Sequence, residues 1–136
     1  MSQYKVDFYK EADGKKPLGT FIKSLDIRMK AKVVASLSLL EEYGNMAREP
    51  LSKHLEDGIF ELRVIESKNI VRILYFFDCD RIIIATNGFI KTTNKTPRSE
   101  ISLAKQRRAI YFSRKEASKN EWPTTVKRWI NAESRI

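Results

Sequence analysis

Four cations, set on or just after three successive strand patterns, carry the chemistry this sequence offers. Arg63 lies on the more polar face of "GIFELRVI", two residues from Glu61. Arg72 interrupts "NIVRILYFF", a run otherwise apolar from Ile70 to Phe77. Burying a lone cation is expensive, so Arg72 is expected to reach a partner at the surface of its sheet. Lys91 and Lys95 sit in "NGFIKTTNKTPRSE", where a strand hands over to a helix, and no acid lies between them. The plain account pairs Arg63 with Glu61 or Glu66 and leaves both lysines solvated. Four cations at one end of one sheet favour a phosphate site instead, because guanidinium and ammonium groups form strong charge-assisted bonds to phosphate oxygens.

Other chemistries are poorly represented. The chain has no glycine-rich phosphate loop, no CxxC and no HExxH. Its single histidine, His54, has no second histidine with which to bind a metal and reads as a surface or packing residue. Asp78 and Asp80 read as turn formers, bonding to nearby backbone. Cys79 is the only cysteine, which excludes a disulfide framework and cysteine-built metal sites. No metal and no cofactor is expected.

Lysine and arginine number 26 against 17 acids, a net charge of +9 that suits a polyanion or an acidic protein partner. Hydrophobic residues at 42% and aromatics at 10% are enough for a core, which excludes a disordered chain. No apolar run approaches the roughly 20 residues of a membrane span, and "MSQYKVDFYK" lacks the apolar core of a signal peptide. The expected location is the cytoplasm, away from membranes.

The elements that must position the cations can be read from periodicity. "YKVDFY" alternates as a first strand. Pro17 opens a short helix with Phe21, Ile22 and Leu25 on its apolar face. Asp26 caps a second helix, which carries Val33, Val34, Leu37 and Leu40 and ends at Gly44. The two helices form a hairpin. "MAREPLSKHLEDG" reads as a linker. Three strands follow. Phe60, Leu62 and Val64 share one face of the first, and Val71, Ile73, Tyr75 and Phe77 one face of the second; "DCDR" turns into the third, "RIIIATNGFI".

Thr96 and Pro97 then start a helix running to about Arg114, with Ile101, Ala104, Ile110 and Tyr111 toward the sheet and its cations turned outward. Grouped helices followed by consecutive strands give an α+β fold: a helical hairpin packed on a small antiparallel sheet, with a C-terminal helix. Residues 1–116 form the domain. Residues 117–136 form an extension, a short helix whose Trp122, Trp129 and Ile130 pack on the body.

The segments "GIFELRV", "NIVRILYFF", "GFIKTTNKTPRSEI" and "LAKQRRAIY" together resemble the phage-derived HigB branch of the RelE/ParE toxin superfamily. Phe89–Ile90–Lys91 followed by Lys95–Thr96–Pro97 is the most specific part, and the resemblance spans about residues 4–115. Thr92 stands where many members carry a second lysine. The resemblance implies a RelE-like fold and the toxin of a bacterial type II toxin–antitoxin system. Such a toxin inhibits translation by cutting mRNA on the ribosome and is silenced by a cognate antitoxin, typically a small helix-turn-helix protein.

RNA carries its own nucleophile, the 2′-OH. A protein that orients it, takes its proton and stabilises the developing charge has what the reaction needs. Arg63 and Arg72 then hold the scissile phosphate. Lys91 and Lys95 stabilise charge, one of them acting as base, its pKa lowered by neighbouring cations. Glu61 is the alternative base. Lys105, Arg107 and Arg108 are the expected RNA-binding cations, and Tyr75 or Phe76 is a candidate to stack on a base, with core packing the favoured role for both. The alternatives are a ParE-like, non-enzymatic inhibitor of DNA gyrase and an RNA-binding module without catalysis.

Overall fold

The computed structural model describes residues 3–120 and Pro123. Five strands, β1 (Lys5–Phe8), β2 (Ser52–Glu56), β3 (Ile59–Glu66), β4 (Asn69–Asp78) and β5 (Ile82–Ile90), form one sheet in the order β1-β5-β4-β3-β2. Helices α1 (Pro17–Lys23) and α2 (Ile27–Tyr43) lie between β1 and β2, and α3 (Arg98–Asn120) follows β5. The fold is α+β. Trp122, Trp129 and Ile130, expected to pack on the body, lie outside the described residues.

β2 through β5 pair antiparallel, as expected of a meander, but β1 adds to β5 in parallel, with Lys5 opposite Ile82. β2 replaces part of the expected linker. Asp57 and Gly58 turn it into β3 with φ of 50° and 75°, the left-handed pair that a two-residue hairpin requires.

Asp26 caps α2 by accepting from the Met29 N–H at 2.8 Å, and Gly44 at φ 53° ends it. The hairpin α1–α2 covers one face of the sheet. Leu18, Met29, Val33 and Leu40 pack there on Leu62, Val64, Val71, Ile73 and Tyr75. Fully burying each aliphatic side chain contributes about 1.5–3 kcal/mol. Val34 turns away from this core and is exposed. α1 sits close because β5 has a glycine beneath it: a Cβ on Gly88 would lie 2.9 Å from Leu18 and from the Phe21 ring.

On the opposite face, α3 seats Ile101 and Ala104 on Ile59, Leu74, Phe76 and Ile84, with Ile110 and Tyr111 packed alongside. The helix continues past Arg114 to Asn120.

Candidate functional site

The antiparallel register places the expected cations on the α3 face of the sheet. Arg63 is directly opposite Arg72, and Arg72 is opposite Phe89. One row away, Lys53 is opposite Glu61 and Glu61 opposite Leu74. Lys91, two residues beyond Phe89, anchors its backbone N–H on the Ile70 carbonyl at 2.8 Å. Glu61, Arg63, Arg72 and Lys91 therefore converge from three strands. Lys95 is exposed further along the loop, where its carbonyl accepts from the Thr93 hydroxyl at 2.8 Å.

Arg72 was expected to reach a partner at the surface of the sheet. It is instead 3% exposed, and Glu61 beside it 1%. The Arg72 Nη1 donates to Glu61 Oε1 and lies 3.4 Å from Thr96 Oγ1, and the Thr96 hydroxyl donates to Glu61 Oε2. Arg72 Nε and Nη2 are buried with no partner among the described residues. Removing one member of such a buried pair typically costs about 3–5 kcal/mol, because a charge is left unpaired. Thr96 was expected to cap α3; its hydroxyl serves the ion pair instead, and the helical bonds start from the Pro97 carbonyl.

Among the described residues, Lys53, Arg63, Lys91 and Lys95 make no ion pair. Partial burial holds the Lys91 ammonium below the ordinary lysine value, and repulsion from Arg72, Arg63 and Lys53 adds to that effect. Glu61 attracts it and opposes the shift.

The α3 cations Lys105, Arg107 and Arg108, expected to bind RNA, are each bonded to another part of the protein. Lys105 donates to Glu56 at 2.6 Å, and Arg98 pairs with the same carboxylate. Arg107 donates to the Thr86 carbonyl at 2.7 Å and lies over the Tyr9 ring, 5.4 Å from its centre. That carbonyl belongs to the extra residue of a bulge in β5 opposite Leu74 and Tyr75, where the ladder leaves backbone groups unpaired. Arg108 pairs with Asp57 at 2.9 Å, and Lys115 with Asp78 at 2.7 Å. These cations brace α3 on the sheet.

Tyr75 is likewise not available to stack on a base. It is 1% exposed, on the hairpin face, stacked on Phe60 and bonded through its hydroxyl to Ser52. Phe76 is buried under α3 against Tyr111 and Phe112. His54 accepts from the Gly58 N–H at 3.2 Å and packs edge-on against Phe60, a surface and packing role.

Sequence reasoning missed Lys53 and Thr96. The Asp57–Gly58 turn was the available signal for Lys53, since it implies a strand on its near side. No signal pointed to the bridging role of Thr96.

The chain belongs to the family described as phage derived protein Gp49-like (DUF891), whose sequence pattern matches residues 20–109. Among solved structures, the chain is similar to one in the crystal structure of the archaeal RelE–RelB complex from Pyrococcus horikoshii OT3. The two are 18% identical with a TM-score of 0.46, and the match covers 69% of this chain and 99% of that one. No curated protein matches the sequence. Among the described residues, no helix is long and apolar enough to cross a membrane.

Proposed function

We propose that this protein is the toxin of a bacterial type II toxin–antitoxin pair and that it acts in the cytoplasm by cutting mRNA on the ribosome. The observation that carries the reading is the contrast between two cation sets. Lys105, Arg108 and Lys115 of α3 are paired with the protein's own carboxylates, whereas Lys53, Arg63 and Lys91 are unpaired around a buried Arg72 on one end of the sheet. A fold gains nothing from collecting like charges. A phosphodiester passing through a dianionic transition state gains a great deal from them.

In the proposed reaction the 2′-oxygen attacks the adjacent phosphorus while its proton passes to neutral Lys91. The bond from phosphorus to the 5′-oxygen breaks, the leaving oxygen takes up a proton, and a 2′,3′-cyclic phosphate and a 5′-hydroxyl remain. Arg63 and Arg72 hold the non-bridging oxygens; both stay charged throughout and are poor bases. Lys53 and Lys95 add positive potential along the RNA backbone. Glu61, with both oxygens already engaged, is the anchor of Arg72 rather than the base. The cationic surface suits a small antitoxin that covers it with acidic residues.

Induced expression tests the reading. Translation should stop and transcripts should be cut while plasmid supercoiling stays normal, and co-expression of the antitoxin should restore growth through a stable complex. Intact transcripts with relaxed plasmid would move the protein to the gyrase-inhibitor class.

A further inference from the structure

The guanidinium of Arg72 has a held end and a free edge. Nη1 is bonded to Glu61 Oε1, while Nε and Nη2, side by side, have no partner among the described residues. A carboxylate beside arginine commonly makes two parallel bonds. Glu61 makes one, because its second oxygen accepts from the Thr96 hydroxyl. A buried charged donor left unpaired is costly, so the fold maintains a state that a simple rotation of Glu61 would relieve at Nη2.

We propose that Thr96 is a positioning residue. By occupying Glu61 Oε2, its hydroxyl keeps the carboxylate on one nitrogen of Arg72 and leaves the Nε–Nη2 edge for an oxyanion. That edge carries two parallel N–H groups and so can match two phosphate oxygens at once. The identity of the anion, the scissile phosphate of RNA, rests on the function proposed above; the geometry of the seat does not. Both nitrogens are covered in the free protein, so an entering anion must displace what lies over them. Without the hydroxyl, Glu61 turns its freed oxygen to the near N–H of Nη2, which draws the guanidinium toward the carboxylate, neutralises more of its charge and turns the Nε–Nη2 edge away from an entering anion.

The test is NMR of the Arg72 Nε–H, assigned by its loss in Arg72→Lys, during titration with inorganic phosphate at constant ionic strength set by chloride. In the parent and in Thr96→Ser, which keeps the hydroxyl, phosphate should shift this resonance along a saturating curve. In Thr96→Val the same response should need about tenfold to hundredfold more phosphate, the range for one lost hydrogen bond to a charged group. Thr96→Ala replaces Thr96→Val if the latter does not fold. A parent resonance that ignores phosphate, or a Thr96→Val response equal to the parent's, overturns the proposal. RNA cleavage by the same proteins separates the two readings. A parent that binds phosphate at Arg72 but leaves RNA intact keeps the seat and removes the nuclease. A Thr96→Val protein that cuts RNA as fast as the parent does the reverse.

Discussion

Arg63 and Arg72 are direct cross-strand neighbours on the α3 face of the sheet, and Glu61 is ion-paired with only one of them, Arg72. Like charges opposite one another destabilise a strand pair by roughly 0.2–1 kcal/mol. Arg63→Gln should therefore melt at or slightly above the parent temperature while losing most RNA cleavage. A thermal melt and a cleavage assay on the same preparation check it. A clear loss of stability would make Arg63 a structural residue.

Lys91 must be neutral to take a proton. Its pKa lies below the ordinary lysine value, so the neutral fraction at a given pH is larger than for a free lysine and grows as pH rises. Single-turnover cleavage should climb with pH and level off once Lys91 is deprotonated. Lys91→Arg should abolish that rise and slow cleavage about a hundredfold to ten-thousandfold, the usual loss for a general base. An unchanged profile in Lys91→Arg would place the base elsewhere.

Glu56 ties Arg98 and Lys105 of α3 to the end of β2, and hydrogen bonds from those two cations lower its pKa from 4.5 to about 2. A carboxylate depressed in the folded state contributes stability that is full above its unfolded pKa and is lost as pH falls through the folded one. Glu56→Gln should therefore melt below the parent at neutral pH, with the gap closing between pH 4.5 and about 2. Melts across that series test it; a gap independent of pH would mean that packing, not charge, is what the substitution removes.

Tyr75→Phe keeps the ring stacked on Phe60 and removes the hydroxyl bonded to Ser52. It should cost about 1 kcal/mol of stability and leave cleavage unchanged. A selective loss of cleavage would return Tyr75 to the RNA surface.

The helical hairpin, β3 to β5 and the start of α3 were legible because their apolar residues repeat at the period of the element that buries them. β2 was not. "SKHLE" is a polar edge strand whose membership depends on pairing with β3. The direction of β1 was equally hidden, since it docks on β5 some 75 residues away. β4 is buried on both faces, so alternation could not say which side Tyr75 joins.

The site was half legible. Arg63 and Arg72 announced themselves as charges in apolar strands. The pairing of Lys105 and Arg108 did not, because their partners Glu56 and Asp57 lie about 50 residues earlier. The C-terminal part of α3 lacks an apolar repeat in "KEASKN", so its end at Asn120 could not be placed.

Purified protein incubated with a defined mRNA on translating ribosomes, with the new RNA ends mapped by primer extension, tests the central claim most directly. The comparison is between the parent and three substitutions that each preserve charge: Arg72→Lys, Lys91→Arg and Lys105→Arg. Lysine cannot grip two phosphate oxygens as arginine does, and arginine cannot release a proton near neutral pH. Lys105 only braces α3 against Glu56, a contact arginine can keep. The account predicts cuts within the translated frame for the parent and for Lys105→Arg, and almost none for Arg72→Lys and Lys91→Arg at equal soluble protein. Cutting by all three variants at the parent's rate, or an intact message with the parent, would contradict it.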